Sequence, residues 1–240
     1  MRHRIPLAVL TCLALLVPAA AASASSRQFT TIEAPAELLN GAPGPALDQI
    51  QSLGATAVRI QVSWSQIAPD PGSRQAPSFN ATDPNAYPAG NWARYDLAID
   101  GARARGLKVL LTLAGAAPRW ATAHRTDGLT RPSATDFGEF ATAVGRRYGS
   151  RIAVWSIWNE PNLGKMLKPI AGLASAQVYR QLYLKAYAGL RQARVGAPIL
   201  IGELAPIGNT LKDQGTISPL RFLRAVLCLD ARYRKVGRGC

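Results

Sequence analysis

Four times along the chain an amphipathic segment ends in a glycine and passes into a short, almost wholly apolar run. "ALDQIQSLG" precedes "ATAVRIQVSW", and "YDLAIDGARARG" precedes "LKVLLTLAG". "ATDFGEFATAVGRRYG" leads through Ser150 and Arg151 into "IAVWSIW", and "YRQLYLKAYAGLRQARVG" precedes "APILIGEL". In the third segment Phe137, Phe140, Ala141, Val144 and Tyr148 recur at helical spacing, so one stripe can face a sheet. Ser133 offers an N-cap to that helix, with Asp136 three residues on. Gly54, Gly106, Gly149 and Gly196 suit the left-handed position that closes a helix. The apolar runs lack alternation, as parallel strands covered on both faces do.

These patterns predict strands near 28–34, 55–63, 107–113, 152–159 and 198–204, and a last helix over 218–233 opening on Ser218-Pro219. Helix, glycine and strand recurring about every 45–50 residues imply βα units joined by right-handed crossovers. An open doubly wound sheet and a (β/α)8 barrel both use such units. No GxGxxG or P-loop follows any strand, which weakens a nucleotide-binding version of the first. Polar and aromatic residues collect just past the strand ends, at Trp64, Trp120, Asn159, Glu160 and Glu203. Both architectures place their sites there.

The N-terminus changes the domain picture. Arg2 and Arg4 precede an apolar run from Ile5 to Ala22, and Ala22-Ser23-Ala24 offers small residues for cleavage. Residues 1–24 therefore read as a secretory signal peptide and 25–240 as one α/β domain, soluble, exported and without stable membrane insertion. Cys12 falls in the leader, which leaves Cys228 and Cys240 able to pair in an oxidising compartment. With two histidines, His3 and His124, and no CxxC spacing, neither a structural zinc nor any other cofactor is expected.

Lys and Arg number 28 against 14 Asp and Glu, a formal charge of +14 that becomes +12 without Arg2 and Arg4. A basic surface suits acidic glycans, anionic envelopes or nucleic acid. Many of the arginines, Arg103, Arg105, Arg146, Arg147, Arg191 and Arg194 among them, instead fall at helix C-terminal ends, where cations complement the dipole. That placement favours solvated helix faces, and with no basic-aromatic module in view no nucleic-acid partner is expected.

Candidate chemistry narrows to few carboxylates. Of five glutamates, Glu139 sits on a predicted helix and Glu37 in a loop or helix start, while Glu33 can end the first strand facing either way. Glu160 closes "VWSIWNEPN", behind Trp155 and Trp158, whose bulk would favour the protonated form that a general acid needs. Asn159 beside it offers an amide for a hydroxyl-rich ligand. A strand-end glutamate can equally serve a cap or a loop salt bridge.

"WSIWNEPN" resembles the fourth-strand signature of the cellulase-like retaining β-glycoside hydrolases, (β/α)8 barrels of the clan A, family 5/39 type. The resemblance runs from about residue 28 to 206. It implies that Glu160 is the acid/base and that Asn159 meets the sugar 2-hydroxyl. It also implies that Arg59, in "AVRIQVSW", supports the nucleophile. Trp64 and Trp120 are similar to the aromatic platforms on which sugars stack, although packing explains them as well. The substrate implied is a β-linked oligo- or polysaccharide.

A retaining glycosidase needs two carboxyl groups about 5–5.5 Å apart. In the family the nucleophile ends the seventh strand, and only five strands are predicted here. The expectation is an N-terminal fragment of a longer enzyme, carrying about five of eight βα units, with the nucleophile beyond residue 240. Glu203, on the fifth strand, is expected to contact substrate or support Glu160 rather than act as nucleophile, and Asp213 and Asp230 are expected in a loop and a helix. The alternative function is a non-catalytic carbohydrate-binding pseudoenzyme of the same fold.

Overall fold

The computed structural model describes residues 28–208 and 215–237. The expected signal peptide, Cys12, Asp213 and Cys240 lie outside them. Five strands form one parallel sheet in chain order: β1 (Thr31–Ile32), β2 (Ala57–Ser63), β3 (Lys108–Ala114), β4 (Val154–Asn159) and β5 (Ile199–Glu203). All five expected strands exist, β1 as a stub of two residues. The helices are α1 (Pro35–Leu39), α2 (Gly44–Ser52), α3 (Trp64–Ile67), α4 (Ala89–Ala104), α5 (Ala134–Tyr148), α6 (Ala174–Gln192) and α7 (Pro219–Val226). Consecutive strands paired in parallel and separated by helices give part of a (β/α)8 barrel.

Helix periodicity decides what each helix buries. On α5 the predicted stripe of Phe137, Phe140, Ala141, Val144 and Tyr148 is fully sealed. Ser133 caps the helix by accepting the Asp136 N–H at 3.3 Å, as expected. The same helix also buries Gly138, Thr142 and Gly145, because α6 lies against it almost backbone to backbone. A Cβ on Gly189 would run into the Gly138 carbonyl oxygen and approach Thr142 Oγ1 within 2.7 Å.

Gly54 and Gly106 take φ of +76° and +74°, closing α2 and α4 as predicted. The other two glycines depart from expectation. Gly149 stays helical at φ −43° and opens a 3-10 turn, while Arg194, not Gly196, takes the left-handed step after α6, at φ +60°. The last helix is shorter than the predicted 218–233. Pro219 does open it, but the Ser218 side chain makes no cap bond. The helix stops at Val226, where Cys228 turns left-handed and Asp230 captures the N–H groups of Arg232 and Arg234. Asp230 is thus a turn residue. Cys228 is disulfide-bonded to a partner outside the described residues.

Several arginines expected to be merely solvated tie the outer layer together. Arg105 pairs with Asp48 between α4 and α2, Arg147 with Asp96 between α5 and α4, and Arg151 with Asp100. Among the described residues no helix is long and apolar enough to cross a membrane.

Candidate active site

Strand alternation on β2 sends Val58, Ile60 and Val62 into the core and Arg59 and Gln61 to the opposite, inner face. The parallel register sets Gln61 beside Thr112 of β3, and Thr112 beside Ser156 of β4. Polar side chains therefore line the inside of the curved sheet. Arg59 is their centre. Its Nε donates to Thr112 Oγ1 at 3.1 Å and its Nη1 to Glu33 Oε2 at 2.5 Å. Its Nη2 donates to both Asn159 Oδ1 at 2.8 Å and Glu203 Oε2 at 3.0 Å. The Gln61 amide donates to the second oxygen of Glu33 at 2.6 Å. One guanidinium thus joins the tips of β1, β4 and β5, with its own side chain 13% exposed.

Asn159 reaches that face because β4 breaks its own alternation. Ile157 and Trp158 are consecutive, yet both are buried, at 0% and 1% exposure. Trp158 takes φ +67°, packs edge-on against Phe137 at 5.3 Å and covers Gly115, where a Cβ would strike its ring. The left-handed step turns Asn159 inward to Arg59. Glu160 follows at φ +47°, and among the described residues its carboxylate has no hydrogen-bond partner. Two left-handed residues on either side of Asn159 cost on the order of 1–3 kcal/mol each and persist only where the surroundings over-determine them.

What over-determines this left-handed step is Tyr179 on α6. Its hydroxyl donates to the Ile157 carbonyl at 3.0 Å and accepts the Gly202 N–H at 2.6 Å, standing in for ladder bonds where Trp158 and Gly202 leave the pairing, while the register of the two strands is the same on either side. Burial pushes that phenol well above its ordinary range, so it stays protonated and can fill both roles. Gly202 itself has no room for a Cβ, which would meet the carbonyl oxygens of Ile157 and Trp158. One step further, the Glu160 N–H donates to the Glu203 carbonyl at 2.8 Å. Asn162, the last residue of the motif, is fully buried. It clamps the loops after β4 and β5 by donating to the carbonyls of Ala205 and Ile217 and accepting the Ala205 N–H.

The structure thus brings Arg59, Asn159 and Glu203 into one hydrogen-bonded cluster, with Glu160 at its edge. It adds Glu33, Gln61 and Thr112. Gln61 was not singled out, although its place two residues after Arg59 on the same strand puts both on one face. Thr112 carried no signal of its own, because its place comes from register with β2.

Trp64 and Trp120 are a correction to the platform reading, and packing is the reading that holds. Trp64 is 1% exposed and lies among Phe137, Phe140 and Trp120, at ring distances of 5.3, 5.9 and 6.2 Å. Trp120 is 7% exposed and its indole N–H donates to the Pro69 carbonyl at 3.1 Å. Helix α3 starts directly where β2 ends, which tucks Trp64 beneath α5 instead of raising it over the strand tips.

A parallel sheet of barrel type whose strand tips gather a glutamate, an asparagine and an arginine held by carboxylates has its polar residues where (β/α)8 barrels place their sites. The chain belongs to the cellulases of glycosyl hydrolase family 5, whose model matches residues 35–206. It is 27% identical over 118 residues to the "Probable inactive beta-glucosidase 14" of Oryza sativa subsp. japonica, a span covering 49% of this chain and 21% of that protein. Among solved structures, Fpglu1 from Fervidobacterium pennivoraus superposes with a TM-score of 0.53 at 16% identity, over 65% of this chain and 39% of that one. The β-glycosidase of the hyperthermophile Thermosphaera aggregans gives 0.51 at 20% identity, over 66% and 42%. The chain therefore spans well under half the length of each of these proteins, and at such identities the structural likeness speaks for the fold.

Proposed function

We propose that the protein is an exported glycoside hydrolase that cleaves a β-linked glycan with retention, using Glu160 as acid/base. The observation that carries the reading is the placement of Glu160. It follows directly on an asparagine fixed by Arg59, at the tip of the fourth strand of a family 5 chain. In the first step Glu160 donates its proton to the departing glycosidic oxygen as a carboxylate attacks the anomeric carbon. In the second it removes a proton from the water that releases the sugar. Asn159 is oriented for the 2-hydroxyl, because Arg59 occupies its carbonyl oxygen and leaves the amide N–H groups to donate. The seventh-strand position from which the family draws its nucleophile lies outside the five described strands. The Glu33 and Glu203 carboxylates flanking Arg59 shape the field around the reacting centre.

The test compares wild type with Glu160→Gln on aryl β-glycosides of graded leaving-group ability. Loss of about 10²–10⁴-fold on poor leaving groups, with a much smaller loss on an activated one, supports the assignment. Equal turnover by both proteins on both substrates removes it.

A second reading, a carbohydrate-binding protein without turnover, is favoured by one observation: the rice relative is named a probable inactive β-glucosidase. Glycan binding that survives Glu160→Gln, with no hydrolysis by wild type on any substrate, supports that reading.

A further inference from the structure

The loops that follow β2, β3 and β4 form one block on the same side of the sheet as Glu160. Residues 115–133 fold back on themselves, with Ala117 N–H on the Gly128 carbonyl at 2.9 Å and a bridge between Thr122 and Pro132. The β4 loop joins the block where Arg131 N–H meets the Lys168 carbonyl at 2.9 Å and Lys168 N–H meets that of Leu129 at 3.0 Å. The β2 loop joins through Arg119 N–H on the Pro71 carbonyl at 2.8 Å. The Trp158 indole N–H ties it to the catalytic strand by donating to the Met166 carbonyl at 3.3 Å.

This block is cationic in an unusual way. It carries Arg74, Arg119, Arg125, Arg131, Lys165 and Lys168. In the helical layer Arg105, Arg147 and Arg151 are neutralised by aspartates, and Arg180 bonds the Val226 carbonyl at the end of α7, where the dipole is negative. No arginine of the block is in an ion pair among the described residues, and of its lysines Lys168 acts on the carboxylate of Asp127. Arg119 donates to the carbonyls of Arg125 and Gly72, and Arg125 donates to that of Arg74, so both are held in place without losing charge. Arg125 and Arg131 are exposed and sit at φ +53° and +46°, left-handed positions in turns held by their backbone N–H groups on the carbonyls of Thr122 and Lys168. The one carboxylate inside the loop, Asp127, is committed to its own turn, accepting from Leu129 N–H, Thr130 N–H and the Thr130 hydroxyl.

We infer that this rim selects an anionic glycan: Arg125 and Arg131, with Lys168 behind them, receive the carboxylate or sulfate of a sugar bound beyond the cleavage point. The inference rests on the reading of this face as a glycan site. Guanidinium groups pair with carboxylate and sulfate through parallel hydrogen bonds, and Arg125, already fixed by the Arg74 carbonyl, loses little further freedom on binding, while Arg131 is placed through its backbone N–H on the Lys168 carbonyl.

The test is electrophoretic retardation of the full chain in gels containing carboxymethyl, sulfated or hydroxyethyl cellulose, which share one β-1,4 backbone and differ in charge. Retardation is expected to be about tenfold stronger in an anionic matrix than in the neutral one at low salt. It should be lost in Arg125→Glu/Arg131→Glu and in the milder Arg125→Gln/Arg131→Gln, and kept in Arg103→Glu/Arg194→Glu, which changes the same charge at exposed helix ends. The ratio between the carboxymethyl and sulfated gels identifies which anion is preferred. Equal retardation in charged and neutral gels overturns the inference. So does loss in the helix-end variant as well, or duplex DNA held as tightly through the same residues. Because the readout is binding, selective retardation without hydrolysis would leave the rim standing while the catalytic reading fell.

Discussion

The Tyr179 hydroxyl accepts the backbone N–H of Gly202 at 2.6 Å, so a helix side chain occupies a rung of the β4–β5 ladder. That rung is the last before the strands deliver Glu160 and Glu203. Their registration through the Glu160 N–H therefore depends on a phenol some twenty residues away in sequence.

Tyr179→Phe removes the donor to Ile157 and the acceptor for Gly202 and leaves both backbone groups buried. The cost is expected at about 1–3 kcal/mol, read by denaturant unfolding. Hydrogen exchange should accelerate first at Gly202 and Glu203. Uniform acceleration across the sheet would show that the rung is not local in its effect.

Asn162→Ala cuts three hydrogen bonds in a fully buried position. Destabilisation of about 2–4 kcal/mol is expected, since the carbonyls of Ala205 and Ile217 and the Ala205 N–H all lose a partner that water cannot replace. Asn162→Asp should be nearly as damaging at neutral pH, because a carboxylate presents no N–H to the carbonyls of Ala205 and Ile217. A Tm within two degrees or so of wild type for either variant contradicts the clamp.

Gly189→Ala places a methyl group against the Gly138 carbonyl oxygen and Thr142 Oγ1. An overpacking cost of about 1–3 kcal/mol is expected, although alanine is the better helix former. Gly90→Ala, where nothing lies within 4 Å of the added carbon, should be neutral or mildly stabilising. The difference between the two unfolding midpoints measures the closeness of α5 and α6.

Asp127 should make the β3 loop acid-labile. Burial pushes its carboxyl up, but the N–H groups of Leu129 and Thr130, the Thr130 hydroxyl and the charge of Lys168 outweigh that and hold it below the usual carboxylate range. A depressed folded value means stabilisation that is fully present above the unfolded value near 4 and is lost as pH falls through the folded one. Asp127→Asn should be less stable than wild type at pH 7 and converge with it in strong acid. Limited proteolysis of residues 119–131 across that range checks the sign, and curves that stay parallel would refute it.

Arg59→Lys retains a charge but cannot reach Thr112, Glu33, Asn159 and Glu203 together, because an ammonium lacks the planar fork. Turnover is expected to fall by about 10²-fold, with KM changing less, since the amide of Asn159 loses its fixed orientation. A rise in KM alone would show that Arg59 serves binding rather than alignment.

Local pattern revealed a good deal of this, within clear limits. Gly54 and Gly106 end their helices as the spacing implies, because a helix stop is decided within a few residues. Gly149 and Gly196 mislead in conformation: α5 does end at Gly149 but runs on into a 3-10 turn, and Arg194 takes the left-handed step that Gly196 was expected to supply. The tryptophans show a second limit, since a large aromatic past a strand end looks the same whether α5 covers it or solvent does. Arg59 was found through the resemblance, whereas Gln61 was missed, and the left-handed step at Trp158 depends on Tyr179 and Gly202. Such a three-way contact between distant segments leaves no periodic trace. The second buried face of α5 was visible only as small residues, Gly138, Thr142 and Gly145, which composition alone does not distinguish from filler.

Each strand of this sheet lies beside the one synthesised just before it, from β1 through β5. Every unit therefore finds its docking surface already made when it emerges, and no strand has to wait for a distant partner. Assembly can follow the direction of synthesis, one layer at a time, with each newly added strand serving briefly as the growing edge. The tyrosine rung and the asparagine clamp both join segments that come late in this order. The corner that carries Glu160 is thus set after the framework that supports it.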